Sequence, residues 1–199
     1  MLVPPSTTTG ARDRLLSVAR RRFAAEGAIA ATLDEVRREA GVSVGSLYHH
    51  FPDKSALAAA VYAQVLAEYQ RGFVAMLHAQ VAAEAGIRGG VRHHLNWVGA
   101  HRGEARLLLG DRLDSAELRD ANRNFFAAIR DWWRPHHTYG VLTPMRPGVS
   151  AALWLGPAQE YSRYWAAGDM AVMESGTVET FADAAWNSLR VRTIEEDLE

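Results

Sequence analysis

TLDEVRREAGVSVGSLYHHFPDK, residues 32–54, reads as two short helices joined by a tight turn and closed by a proline. Leu33, Val36 and Ala40 fall at the three-to-four spacing of one helical face. Gly41 supplies a residue free to adopt positive φ where that helix must stop. Thr32 is placed to cap the first helix and Ser43 the second. Leu47 and Phe51 make the apolar face of the second helix, and Val42 is placed to plug the turn. The pattern is a helix-turn-helix, with a second helix of small residues at its start and aromatic residues at its end. A helix of that kind fits a DNA major groove.

Upstream, a helix is expected from about Gly10 to Gly27. Leu15, Leu16, Ala19 and Phe23 form its buried stripe, and Arg12, Arg14, Arg20, Arg21 and Arg22 its polar face. The arginines nearest its start are candidates for phosphate contact, against the alternative of a solvated face. Residues 1–9, with two prolines and a Ser/Thr run, are expected to be a disordered arm.

Downstream, Asp53 is the expected cap of a long helix from Lys54 to about Ala83. That helix is long enough to bridge a small head and a separate body. Gly86, Gly89 and Gly90 are expected to break the chain before a helix from Val91 to His101. Gly103 then precedes a short helix from Glu104 to Leu109. Asp114 or Ser115 is placed to cap the next helix, which Pro135 is expected to end. His136–Arg146 reads as a loop. A helix from Pro147 to Gly168 should kink at Gly156-Pro157, and residues 175–191 form the last. No stretch alternates with a strand period. The expected fold is all-α, with about nine helices. It divides into the arm (1–9), a helix-turn-helix head (10–54), a body for ligand binding and dimerisation (55–192) and an acidic tail (193–199).

The chain has no cysteine, so disulfides, thiolate metal sites and a cysteine nucleophile are excluded. No apolar run approaches the ~20 residues of a membrane helix. The N-terminus lacks the basic and apolar regions of a signal peptide, so the expected location is cytoplasmic. The net charge of −1 does not advertise nucleic-acid binding, but its distribution is uneven. Residues 1–55 hold eight Lys/Arg against six Asp/Glu, a modestly basic head on an acidic body.

The head resembles the tetracycline-repressor (TetR) family of bacterial transcription regulators. Phe23, Gly27, Thr32, Ala40-Gly41-Val42-Ser43, Gly45, Leu47-Tyr48, Phe51 and Lys54 carry the resemblance, over about residues 12–60. The rest of the chain matches the family only as a pattern of further helices. The resemblance implies phosphate contacts from Thr32, Ser43, Tyr48 and Lys54, and base-edge contacts from Val44, Gly45, Ser46 and His49. The side-chain chemistry agrees with those roles: hydroxyls and an ammonium suit phosphate oxygens. Imidazole suits purine edges, and a valine methyl suits thymine. Val44 departs from the family, where a lysine or other polar residue is frequent. The implied partners are a double-stranded DNA operator, a second copy of the chain and a small-molecule effector, with no membrane. The location implied is a bacterial cytoplasm, at the nucleoid when DNA is bound.

A single short recognition helix makes too little contact for tight binding, so a twofold dimer reading two half-sites is expected. Leu155, Tyr161, Trp165, Phe181, Ala185, Trp186 and Leu189 on the last two helices are the candidate interface. The central helices are rich in aromatic residues. Phe73, Trp97, Phe125, Phe126, Trp132, Trp133 and Trp154, with Asn96, His101, Asn122 and Gln159 as polar groups, are candidates for a pocket that takes an apolar or flat effector. The alternative is that the rings are ordinary core. The expected behaviour is repression, released from a palindromic operator by the effector. An activator or a partner-controlled regulator is the alternative. A histidine-based metalloenzyme is remote: His94 and His101 lie seven apart, but no H-E-x-x-H or nearby carboxylate accompanies them. No cofactor, metal or catalytic residue is expected.

Overall fold

The protein is described by a computed structural model covering residues 10–28, 30–110, 116–168 and 176–191. The sequence expectations for the 1–9 arm, the Asp114 or Ser115 cap and the 193–199 tail lie outside these residues. The described residues form nine helices: α1 (Ala11–Glu26), α2 (Leu33–Glu39), α3 (Val44–His50), α4 (Lys54–His78), α5 (Ala83–Ala100), α6 (Arg102–Leu109), α7 (Ala116–Thr138), α8 (Pro147–Ala167) and α9 (Thr177–Leu189). The fold is all-α. One isolated antiparallel bridge, Leu142 with Arg190, ties the α7–α8 connection to the end of α9.

Two large cores organise the helices. The first joins Leu15, Ala19 and Phe23 of α1 to Val36, Leu47 and Phe51, and to Leu57, Val61 and Val65 of α4. The opening turns of α4 therefore belong physically to the head. The second joins Phe73 and Leu77 of α4 to Ile87, Val91 and Leu95 of α5, to Trp132 and Trp133 of α7, to Trp154 of α8 and to Ala182, Ala185 and Leu189 of α9. A single rod thus contributes to both cores.

The structure corrects several element boundaries. α4 stops at His78, and α5 starts at Ala83, eight residues before the expected Val91. Gly86, Gly89 and Gly90 lie inside α5 and break nothing. Packing selects them: a Cβ on Gly86 would sit 2.1 Å from the Trp132 ring, and one on Gly90 2.5 Å from the Trp154 ring. The missing side chains are the space in which two indoles lie. Gly103 is likewise inside α6, where a Cβ would meet the Ala24 carbonyl oxygen at 2.3 Å. The α5–α6 break falls at His101 instead, with φ −130° and ψ 47°.

Pro135 does not end α7, which continues to Thr138. Its missing N–H costs one ladder bond. Pairs one turn apart hold the final turn together: the Trp133 Nε1–H donates to His137 Nε2 at 2.6 Å, and the Trp132 and His136 rings lie 4.4 Å apart. Gly140, at φ +67°, then closes the helix: its N–H donates to the His137 carbonyl and the Val141 N–H to the His136 carbonyl. The expected 136–146 loop is therefore shorter by one turn. Pro157 lies within an unbroken α8, and α9 starts two residues later than expected.

Candidate nucleic-acid interface and the core behind it

α2 and α3 are built by local chemistry. Thr32 and Glu35 form a capping box: the Glu35 N–H donates to Thr32 Oγ1, while the Thr32 N–H and hydroxyl donate to Glu35 Oε2 at 2.9 and 2.7 Å. At the other end, Gly41 has φ +63°, its N–H donates to the Arg38 carbonyl, and the Val42 N–H donates to the Arg37 carbonyl. This left-handed stop turns the chain into α3. Ser43 Oγ accepts from the Ser46 N–H at 3.2 Å, and Asp53 accepts from the Ala56 N–H at 2.7 Å to start α4.

α3 shows two faces. Leu47 is 2% exposed and anchors the helix in the head core, whereas Val44 and Tyr48 are 55% and 53% exposed. Val44 and Tyr48 stand one turn apart, and Ser43, Gly45 and His49 are exposed with them. Ser46 and Lys54 are half-buried. Thr32 is exposed, but both of its donors are engaged by Glu35. Hydrogen bonding to Thr32 and a pairing with Arg22 hold that carboxylate below the usual glutamate range. In this arrangement Thr32 is a cap, and a phosphate would have to displace a carboxylate to reach it.

The body aromatics pack on one another. Phe73 is fully buried and meets the Phe125 and Trp154 rings edge-on, at 5.5 and 5.4 Å between centroids. Trp132 and Trp133 are buried around Trp154. The Trp154 Nε1–H donates to the Ile87 carbonyl and the Trp132 Nε1–H to the Gln80 carbonyl, both at 2.8 Å. Phe126 is half-exposed at the edge of the cluster, its ring edge-on to Phe125 at 5.4 Å, whereas Asn96 and Gln159 are exposed. Asn122 accepts from Gln70 at 2.8 Å. His101 stacks on Trp97 at 4.9 Å. Phe73, Trp132, Trp133 and Trp154, with Phe125 against them, are thus core packing in this conformation, because their rings fill the space between α4, α5, α7 and α8.

His94 sits in a hydrogen-bonded relay. The Ser162 hydroxyl donates to the Ala158 carbonyl at 2.7 Å, which leaves Ser162 Oγ to accept from His94 Nε2–H at 3.1 Å. His94 Nδ1 then accepts from the Tyr69 hydroxyl at 3.0 Å. The relay joins α4, α5 and α8. Burial, with neighbouring His93, lowers the His94 pKa to about 4, and burial raises that of Tyr69. The imidazole is neutral, as the relay requires. The signal was present in the sequence: His94 falls between Val91 and Val98 on the buried stripe of α5. Among the described residues no group of three His, Cys, Asp or Glu could hold a metal ion.

On α8 and α9 the candidate interface divides. Trp165, Ala185 and Leu189 are buried within the chain. Trp165 packs under Arg102, whose guanidinium carbon lies 4.7 Å from its ring. Ala185 and Leu189 join the second core, because α9 lies against α5 as well as α8. These three are corrected to intrachain core. Leu155, Tyr161, Phe181 and Trp186 remain partly exposed. Beside them a shallow cavity of about 60 Å³ runs between α8 and α9, lined by Leu153, Pro157, Phe181 and Ala184 among others.

A capped helix-turn-helix head fused through one long helix to an all-α body defines a two-part helix-turn-helix protein. Residues 15–61 match the family model described as bacterial regulatory proteins, tetR family. Over those residues the head is similar to the TetR family. Over 50 residues it is 44% identical to the HTH-type transcriptional repressor KstR2 of Mycolicibacterium smegmatis, a match that spans 25% of this chain and 24% of that protein. The whole fold is similar to a protein of unknown function from Rhodococcus sp. RHA1, at TM-score 0.79 and 18% identity over 95% of this chain and 100% of that one. It is also similar to the fatty acid degradation regulator FadR of Bacillus halodurans, at TM-score 0.74 and 14% identity over 94% and 100%. Among the described residues no helix is long and apolar enough to cross a membrane.

Proposed function

We propose that the protein is a DNA-binding transcription regulator, acting as a homodimer and in the repressing sense, that leaves a palindromic operator when an effector binds its body. The observation that carries the reading is α3. Leu47 fixes it to the head while Val44, Tyr48 and His49 face outward from a helix short enough to lie across a major groove. The family match over residues 15–61 and the 50-residue likeness to a repressor support it. Tyr48, Ser43 and Lys54 take phosphates, and Val44, Gly45, Ser46 and His49 take base edges. Thr32 serves as the cap that aims α2 and α3. The dimer forms through the exposed remainder of α8 and α9, with Leu155, Tyr161, Phe181 and Trp186 at its centre.

An apolar or aromatic effector enters by parting the rings between α4, α5, α7 and α8. Because α4 belongs to both cores, that parting changes its tilt and the separation of the two heads. Effector and DNA then oppose one another reciprocally.

The roles on α3 are tested by measuring binding to a panel of duplexes. Tyr48→Phe is expected to weaken all sequences alike, by roughly tenfold or less per half-site. His49→Ala is expected to flatten preference at particular positions. Equal effects of both variants across the panel would overturn this division of roles.

A further inference from the structure

We infer that Arg12, at the start of α1, is an additional DNA-backbone contact, perched on the ring that closes the recognition helix. The inference rests on the DNA-binding reading above. The seven arginines of the head differ in what already occupies them. Arg14 Nε donates to the Ala40 carbonyl at 3.1 Å. Arg20 is shared by Glu68 and Glu104, at 2.7 and 3.2 Å. Arg21 and Arg22 converge on Glu39. Arg37 and Arg38 converge on Asp34, at 2.8 and 2.9 Å. Those six hold the head and its junction together. Arg12 is exposed and has no carboxylate or carbonyl partner among the described residues; its guanidinium carbon lies 5.6 Å from the centroid of Phe51.

Phe51 is the C-cap of α3, with its N–H donating to the Leu47 carbonyl at 2.8 Å, and Pro52, Asp53 and Lys54 follow at once. Arg12 therefore stands where the recognition helix ends and α4 begins, beside the residues given to DNA. The nearby Asp53 carboxylate accepts from the Ala56 N–H and caps α4. A guanidinium that rests against a ring is restricted in its rotamers, while its N–H edges stay free for two phosphate oxygens. Less ordering is then needed when the duplex arrives.

The test compares the unaltered full-length chain with Arg12→Ala and Arg12→Lys on a random-sequence duplex across a salt series. Each backbone contact contributes about 0.9 to the slope of log affinity against log salt, so losing two Arg12 contacts per dimer should flatten that slope by about 1.8 in Arg12→Ala. Arg12→Lys keeps the charge and should keep most of the slope, with weaker binding from the lost ring contact and fork. An Arg12→Ala slope equal to that of the unaltered chain would overturn the inference. In that case a lowered melting temperature would identify Arg12 as a structural cover for Phe51. Absence of salt-dependent binding by the unaltered chain would instead overturn the DNA-binding reading itself.

Discussion

Replacing Gly86 by alanine should destabilise this protein, although alanine is the better helix former. Gly86 is buried within α5. In an open helix the exchange gains up to about 1 kcal/mol. Here the new Cβ would lie 2.1 and 2.5 Å from two carbons of the Trp132 ring, well inside contact distance. The indole cannot swing aside without cost, because its Nε1–H is bonded to the Gln80 carbonyl at 2.8 Å and the ring is packed against Trp154. Overpacking of this kind costs roughly 1–3 kcal/mol, and giving up the indole bond about 1 more. The net expectation is a loss of about 1–3 kcal/mol, or roughly 2–10 °C in melting temperature for a chain of this size. Gly99 provides the control: it lies in the same helix, is exposed, and a Cβ there would meet nothing within 4 Å. Gly99→Ala should raise stability by up to about 1 kcal/mol. Gly89→Ala, whose Cβ meets only the flexible Met76 Sδ at 2.8 Å, should fall between the two. Urea midpoints at one fixed protein concentration are the readout, since association shifts apparent stability. If Gly86→Ala and Gly99→Ala were equally stabilising, the argument that indole packing selects these glycines would be wrong.

Other outcomes follow from the same structure. His94 is held neutral with its pKa lowered to about 4 from 6.5, so the unfolded chain binds the extra proton between those values and stability must fall as pH drops through that window. The loss approaches about 3 kcal/mol at the acid end, by the usual ~1.4 kcal/mol per unit. His93 and His136 are also lowered by burial. His94→Asn should therefore reduce the difference in urea midpoint between pH 7 and pH 5 without abolishing it; an unchanged difference would remove His94 from the account. Thr32→Ala breaks the capping box and should cost about 1 kcal/mol, while Thr32→Ser restores it.

The head was legible in the sequence because its determinants are local. The Thr32, Ser43 and Asp53 caps, the Gly41 stop and the Leu47 anchor each act within a few residues, and the structure places every one where spacing put it. The body was less legible because its determinants are distant. Gly86 and Gly90 resemble breakers until Trp132 and Trp154, 46 and 64 residues away, are seen to fill the space above them. Pro135 looks terminal until the Trp133–His137 bond is known to hold the next turn. The same applies to surfaces: Trp165, Ala185 and Leu189 fit an amphipathic interface pattern, but α9 turns Ala185 and Leu189 toward the core it shares with α5. His94 was visible on the buried stripe, but its partners Tyr69 and Ser162 lie on other helices, and one sequence does not reveal that pairing.

Selection of DNA fragments from a random pool by the full-length protein tests the central claim most directly. The account predicts enrichment of an inverted repeat whose half-sites lie roughly 34–36 Å apart, or a multiple of that, each read by one copy of α3. Fragments sharing no motif, or a single half-site with no inverted partner, would contradict it.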